Sequence, residues 1–435
     1  MYKISKKTII GGAIGNFLET YDFTIWALLA QCLTKALLPS NTNLSSVFIL
    51  FLVSYFIRPF GSLISGILAD QIGRKKVLSI SILLMGISTT LVGVIPLYAD
   101  VGFISMFLLF FFRIIQVVAM GGEYISSVAL LIESCDKKER GYCGSWVAMG
   151  VNFGILIASL IAAFLIYGID TQIFPAWAWR IAFLISFITM IIGFWIRRSI
   201  PESYEFILEN ARKEIRPASD IFKELSVCFK SHFIESMSVF ILTWCGVSIS
   251  CLIYIYAPIF MTTVNKLHAY QALFINAASL VIVILLVPLF GKLSDLFGRI
   301  KTLLMALFIL LIMIFPYFIG IAKDNFYLTL ICHIMIGIPC ACYFSVTPTL
   351  ITEIFPLSIR CSVSGFIYSI ASCLAGGLTP LLAMYLVSNT IYYSPSFILI
   401  ISATIGIVML KLLNQKLSFR QKNTNALLKS DFSLG

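Results

Sequence analysis

The chain has 435 residues, is 60% hydrophobic and only 12% charged, and carries a formal net charge of +11. Soluble globular proteins carry about 25% charged residues, so a water-soluble domain of this size is excluded and most of the chain must lie in lipid. The apolar runs are continuous rather than alternating, which excludes a membrane β-barrel, and the positive charges are spread over separate short loops, which excludes a nucleic-acid footprint.

A membrane-spanning helix needs about 20 mainly apolar residues. Twelve stretches qualify, at roughly 9–36, 45–69, 77–98, 102–132, 143–168, 178–197, 233–260, 269–290, 302–321, 326–352, 363–388 and 394–413. Lys3, Lys6 and Lys7 precede the first run, but that run is too long and too charged for a signal peptide. Of the 31 Lys and Arg, 25 fall on the side of the N-terminus and four on the opposite side, while Arg58 and Arg113 lie within apolar runs. By the positive-inside rule both termini are cytoplasmic.

The first run reads Gly15-Asn16-Phe17-Leu18-Glu19-Thr20-Tyr21-Asp22-Phe23-Thr24-Ile25-Trp26. Glu19 and Asp22 stand three residues apart on one helical face, which Trp26 continues. Asp22 lies roughly 22 Å beyond Lys7, past the middle of the bilayer. In the second run Arg58 stands beside Pro59 near one end. The fourth run, Arg113-Ile114-Ile115-Gln116-Val117-Val118-Ala119-Met120-Gly121-Gly122-Glu123-Tyr124, puts Arg113 near the midplane. Glu123 falls about 15 Å nearer the cytoplasm. Ionisable groups inside spans are costly and are functional candidates by default. A carboxyl removed from water can load and release a proton near neutral pH, so Glu19, Asp22 and Glu123 are the proton-coupling candidates. Replacing Asp22 by Asn is expected to abolish uphill uptake. Arg113 stays charged and can hold a substrate carboxylate or discharge a carboxylate when its proton leaves. The competing structural reading is a fixed Arg–carboxylate pair that only locks the first helix to the fourth.

Two loop patterns occur twice. Gly66 to Arg74 and Gly291 to Arg299 both read G-x-x-x-D-x-x-G-R, and Glu133/Arg140 and Glu353/Arg360 both read E-x6-R. The copies are offset by 225 and 220 residues, which indicates a duplicated half, the architecture of a transporter. Asp70, Arg74, Glu133, Arg140, Asp295, Arg299, Glu353 and Arg360 all fall at cytoplasmic helix ends, where opposite charges can bridge the halves when that side is shut. The polar stretch 199–232 is the linker, so the expected organisation is 1–198, an N-terminal six-helix bundle; 233–413, a C-terminal six-helix bundle; and 414–435, a short tail without sustained heptads.

The second half is nearly free of charge within its spans. Glu235 stands at an interfacial position and His333 reads as a packing histidine. Its offering is polar and aromatic, including Thr243, Trp244, Tyr254, Tyr343 and Tyr368. With Tyr21 and Trp26, Trp244 is an aromatic candidate for holding a quaternary ammonium by cation–π attraction. Pro258, Pro288, Pro339 and Pro348 can kink their helices. The eleven cysteines show no C-x-x-C pair, and most read as small buried hydrophobes.

Together these residues resemble the major facilitator superfamily. Within it they are similar to the metabolite–proton symporters, whose members include proline/betaine, α-ketoglutarate, citrate and shikimate carriers. The resemblance covers about 9–413. Its narrower carriers are Gly15 to Phe23, like G-N-x-x-E-W-Y-D-F; Arg113 to Tyr124, like R-x-x-Q-G-x-x-x-G-G-E-Y; and Pro201-Glu202-Ser203. Thr20 stands where that family has Trp, and Val117 where it has Gly. The resemblance implies an all-α membrane protein of twelve helices in two pseudo-symmetric bundles, importing a small organic solute with a proton by alternating access.

A dicarboxylate needs two cationic partners and Arg113 is the only central Arg, so a proline- or betaine-like zwitterion is favoured over α-ketoglutarate. An uncoupled facilitator and a solute sensor are the other readings; a sensor would need an output domain that this tail does not supply. The sequence has no H-E-x-x-H, G-x-S-x-G or P-loop, so neither an enzyme nor an ATP-driven pump is expected. The expected partners are the solute, protons and the bilayer of a bacterial inner membrane. No cofactor, metal, nucleic acid or obligatory protein partner is expected.

Overall fold

A computed structural model describes residues 6–39, 53, 56–199, 202, 207, 231–357 and 359–431. Helices joined by short turns make up these residues, with no strand among them. The twelve spans are α1 Lys6–Leu28, α2 Arg58–Ile72, α3 Arg74–Gly93, α4 Phe103–Glu133, α5 Arg140–Asp170, α6 Arg180–Ser199, α7 Phe233–Thr263, α8 Ala269–Phe297, α9 Arg299–Ile321, α10 Phe326–Glu353, α11 Arg360–Asn389 and α12 Pro395–Asp431. Ten of these are long and apolar enough to cross a membrane by composition alone. The other two are α1, which carries Glu19 and Asp22, and α2, whose expected beginning at 45 lies outside the described residues. Most of the linker also lies outside them, although Glu202 accepts the Lys75 N–H at the start of α3 at 3.1 Å. The backbone of α12 stays helical to Asp431, past the boundary expected at 413.

Large apolar side chains such as Phe60, Ile64, Phe164, Ile188, Trp195 and Ile312 point outward, as a lipid-facing surface requires. Three spans are interrupted, two of them with a local cause in the sequence. The first span ends at Leu28 and resumes as a short helix, Ala30–Leu37. In α4 the helix is broken at Gly121–Gly122, where the backbone of Gly121 lies against Ser62 and Arg58 of α2 and leaves no room for a Cβ. In α7 a π-helical segment, Cys251–Tyr256, precedes Pro258, which has no N–H to donate. Pro288, Pro339 and Pro348 stand inside continuous helices.

The two halves meet through α2 on α11 and α5 on α8. The offset of six spans turns one of these contacts into the other, so the duplicated halves use the same surface twice. The repeated motif explains why. A Cβ on Gly66 would stand 3.0 Å from the Ser362 Cα of α11, and one on Gly291 would stand 2.9 Å from the Gly141 carbonyl oxygen of α5. The first glycine of each motif therefore sets the approach between halves. The second glycine turns the chain into the next helix: Gly73 has φ 106° and ψ 148°, and Gly298 has φ 94° and ψ 140°. That region is essentially closed to other residues, at about 1–3 kcal/mol each. Gly73→Ala or Gly298→Ala should therefore lower stability by that amount, read as a reduced thermal midpoint in detergent.

Candidate functional site

A cavity of about 160 Å³ lies between the halves. Its wall comes from α1 (Glu19, Thr20, Phe23), α2 (Arg58), α4 (Tyr124), α5 (Asn152), α7 (Thr243, Ser250), α10 (Tyr343, Thr347) and α11 (Tyr368), among others. Glu19 and Arg58 are the charged residues of this lining, each 4% exposed. The Tyr124 and Tyr368 rings stack at 4.8 Å across the junction of the halves, and the Arg58 guanidinium lies 5.4 Å from the Tyr368 ring centre. The Thr243 hydroxyl is buried with no hydrogen-bond partner among the described residues. The site thus offers one anion, one cation, an aromatic wall and an open hydroxyl, a pattern complementary to a small solute carrying both charges.

Asp22 and Arg113 form a layer beside this cavity and are absent from its lining. The Asp22 Oδ1 accepts from Ser186 Oγ of α6 at 2.5 Å. Arg113 donates to Gln116 Oε1 at 2.5 Å, and Gln116 in turn donates to the Asp22 carbonyl at 3.1 Å and to Thr89 at 2.8 Å. The guanidinium lies 4.7 Å from the Phe23 ring and 4.9 Å from the Trp26 ring. Arg113 and Trp26 are therefore partners of one another. Tyr21 is buried with its hydroxyl on the Ala182 carbonyl at 2.8 Å, and Trp244 packs on Phe240. None of Arg113, Trp26, Tyr21 and Trp244, the expected substrate contacts, reaches the cavity wall. The reason is directional: Tyr21, Trp26 and Arg113 point toward a neighbouring helix of their own half, and Trp244 lies along its own helix against Phe240.

Glu123 opens the second segment of α4 and is fully buried. Its Oε1 accepts from Arg197 Nη2 of α6 at 2.6 Å. Counted as sequence, Glu19, Asp22 and Glu123 faced one central Arg. In the fold they number three carboxylates and three guanidiniums, with Arg58 and Arg197 joining Arg113.

On the side of the chain termini the loop charges join the halves. Asp70 accepts from the Ser362 N–H at 2.9 Å and its hydroxyl at 2.6 Å. Asp295 accepts from the N–H groups of Gly141 and Tyr142, both at 2.8 Å. Each motif aspartate thus satisfies orphan N–H groups at the start of a helix in the other half, α11 or α5, where the helix dipole also favours an anion. Glu133 lies 3.2 Å from Arg360 and 3.5 Å from Arg74, and Glu353 lies 3.8 Å from Arg140 and 2.6 Å from Arg299. The cluster is therefore built twice, and the termini side is shut. Cys135 and Cys143 are paired across the neighbouring loop, with a Cα–Cα distance of 6.8 Å.

His333 is a packing residue in this arrangement. Its ring is fully buried, with Nδ1 2.8 Å from the Tyr317 hydroxyl and Nε2 3.1 Å from Asn276 Oδ1.

A family model for the Major Facilitator Superfamily matches residues 12–319 and 246–430. The chain belongs to the Major Facilitator Superfamily. Its fold is similar to that of the proton:xylose symporter XylE bound to a bromodeoxyglucose, with a TM-score of 0.75 over 94% of this chain and 95% of that one at 18% identity. A partially occluded, inward-open structure of the E. coli xylose transporter scores 0.69. Among named proteins, the chain is similar to the ectoine/proline transporter ProP of Corynebacterium glutamicum, 29% identical over 93% of this chain and 83% of the relative. It is similar to the proline/betaine transporters of Salmonella typhimurium and Escherichia coli at 29% and 28%, over 93% of this chain and 82% of each relative. This member of the superfamily is a multi-pass membrane transporter and not an enzyme.

Arg58, Tyr124 and Tyr368 line the cavity, yet none of them is among the four substrate-binding candidates chosen from the sequence. The signal for Arg58 was its place inside an apolar run, but its depth could not be read beside Pro59. Tyr124 adjoins Glu123 in a stretch already singled out, and Tyr368 was one of several aromatic residues on the second half's helices.

Proposed function

We propose that this protein is a proton-coupled importer of small zwitterions of the proline/betaine class, with both termini cytoplasmic in a bacterial inner membrane. The observation that carries the reading is the cavity wall, where Glu19 and Arg58 share one small space with the stacked Tyr124 and Tyr368 rings. Arg58 receives the solute carboxylate, and the tyrosine faces receive its onium group, a cation–π contact worth about 0.5–2 kcal/mol. Glu19 and Arg58 carry opposite charges in the wall of the same small cavity and attract one another. When Glu19 takes up a proton that attraction ends and the guanidinium is available to the solute, which links solute binding to proton binding. A dicarboxylate is the weaker reading because the lining offers it a single guanidinium. The reading requires no bound cofactor and no protein partner.

The six-helix bundles 1–198 and 233–413 rock about the cavity, and the two clusters of loop charges are the cytoplasmic gate. Opening that side parts Asp70 from α11 and Asp295 from α5. The test is uptake of labelled proline, glycine betaine and α-ketoglutarate into proteoliposomes. Uptake of either zwitterion, undiminished by excess α-ketoglutarate, is expected; uptake of α-ketoglutarate alone would overturn the substrate class. Tyr368→Ala should raise the KM for glycine betaine about tenfold, while Tyr368→Phe, which keeps the ring face, should stay near the parent value.

A further inference from the structure

The last turn of α6 carries Arg197 and Arg198, and the structure treats them differently. Arg198 is exposed, as a topology-setting charge should be, whereas Arg197 is 3% exposed. Its guanidinium turns inward to Glu123 of α4, with Nη2 3.4 Å from Ser127 Oγ as well as 2.6 Å from the carboxylate. It lies on α1 at Gly15, where any Cβ would run into the guanidinium. Burying a guanidinium costs several kcal/mol, and the neighbouring Arg198 shows that water was within reach. Three helices, α1, α4 and α6, are therefore shaped to hold this one charge.

Its position matters because Gly15 and Glu19 are one turn apart on the same face of α1, about 6 Å along the axis. Glu19 lines the central cavity. Arg197 thus stands between the cavity carboxylate and the termini side, within electrostatic reach of both Glu19 and Glu123. The Glu123 Oε2 and the Arg197 Nε are buried with no hydrogen-bond partner among the described residues. One carboxylate oxygen is open to a proton, and one guanidinium N–H is open to a second acceptor.

We propose that Arg197 is the positioning residue of the proton exit, a cation shared by two carboxylates in turn. The proposal rests on the proton-coupled reading above. While Glu19 carries the coupled proton, Arg197 holds the Glu123 carboxylate. The O–H bond of Glu19 then breaks, and its proton passes through one water molecule to Glu123 Oε2, forming an O–H bond there. Glu19 is left as the carboxylate, Glu123 becomes neutral, and the guanidinium turns to Glu19; the total charge of the three groups is unchanged. Glu123 finally gives the proton to water on the termini side and recovers Arg197. Gly15 is the opening through which the guanidinium changes partner.

The test compares proton-driven accumulation of labelled glycine betaine with solute counterflow, which needs no net proton release, in proteoliposomes from pH 5.5 to 8. In Arg197→Gln the ratio of accumulation to counterflow should fall about tenfold, less than the roughly 100-fold or more of losing a proton carrier itself, and the pH profile of counterflow should flatten. Arg197→Lys should recover part of the ratio. A merely structural Arg197 would lower both activities in proportion and leave the pH profile in place, which would overturn the proposal. If Arg197→Gln fails to fold, the paired Glu123→Gln/Arg197→Met variant, with no buried charge left over, carries the same test; retained coupling there overturns the proposal too. Wild-type uptake indifferent to a proton gradient would instead defeat the proton-coupled reading itself.

Discussion

Glu19→Gln should abolish proton-driven accumulation. The substitution keeps the shape of the side chain and fixes it in the neutral state, so Arg58 no longer has a carboxylate to leave when a proton arrives. Accumulation should fall by about 100-fold or more, the usual range for loss of a positioned proton carrier. Counterflow should persist at a reduced rate and lose its dependence on pH, because solute binding is no longer linked to proton binding. Asp22→Asn is the informative comparison. Asp22 was an equal candidate on sequence grounds, but Ser186 and the Gln116–Arg113 layer hold it outside the cavity. Accumulation lost in Glu19→Gln and kept in Asp22→Asn would assign the proton to Glu19. The reverse pattern would move it to Asp22 and remove Arg58 from the coupling.

The doubled Asp70→Asn/Asp295→Asn variant should open the termini side. Each aspartate accepts two hydrogen bonds from the start of a helix in the opposite half. Exchanging a charged for a neutral acceptor costs about 1–2 kcal/mol at each site. Lost together, these contacts shift the closed-to-open balance by roughly 30-fold or more. Cys361 reports the change directly, since it is 1% exposed and adjoins the Ser362 that holds Asp70. A membrane-permeant maleimide, with the labelled peptide located by mass, should modify Cys361 faster in the double variant by about that factor. Unchanged labelling of a folded double variant would show that these contacts do not hold the gate.

Much of this arrangement was legible in the sequence because lipid makes charge conspicuous. Glu19, Asp22, Arg113 and Glu123 stood out as ionisable groups inside apolar runs, and the fold brings all four into adjoining layers of one half. The duplicated loop motifs identified the charges that join the halves. Their partners were harder to read, because Asp70 and Asp295 bind backbone N–H groups, and backbone donors leave no mark in a sequence. Arg197 was counted with the loop charges because its Cα sits at a helix end, but a long side chain can carry its charge a full turn away. In the fold Gly15 leaves the space that this guanidinium fills. Arg113 was assigned to the solute on depth alone, and depth does not fix the direction in which a side chain points. Trp26 was grouped with Glu19 and Asp22 by helical spacing, yet its ring lies against Arg113 rather than in the cavity.

The most direct test of the central claim is simultaneous measurement of proton and glycine betaine fluxes into proteoliposomes holding the wild-type protein. An inward proton gradient should drive accumulation above the external concentration, and an inward glycine betaine gradient alone should acidify the lumen. Accumulation that stops at the external concentration whatever the gradient, with no accompanying movement of protons, would contradict the account and leave a facilitator.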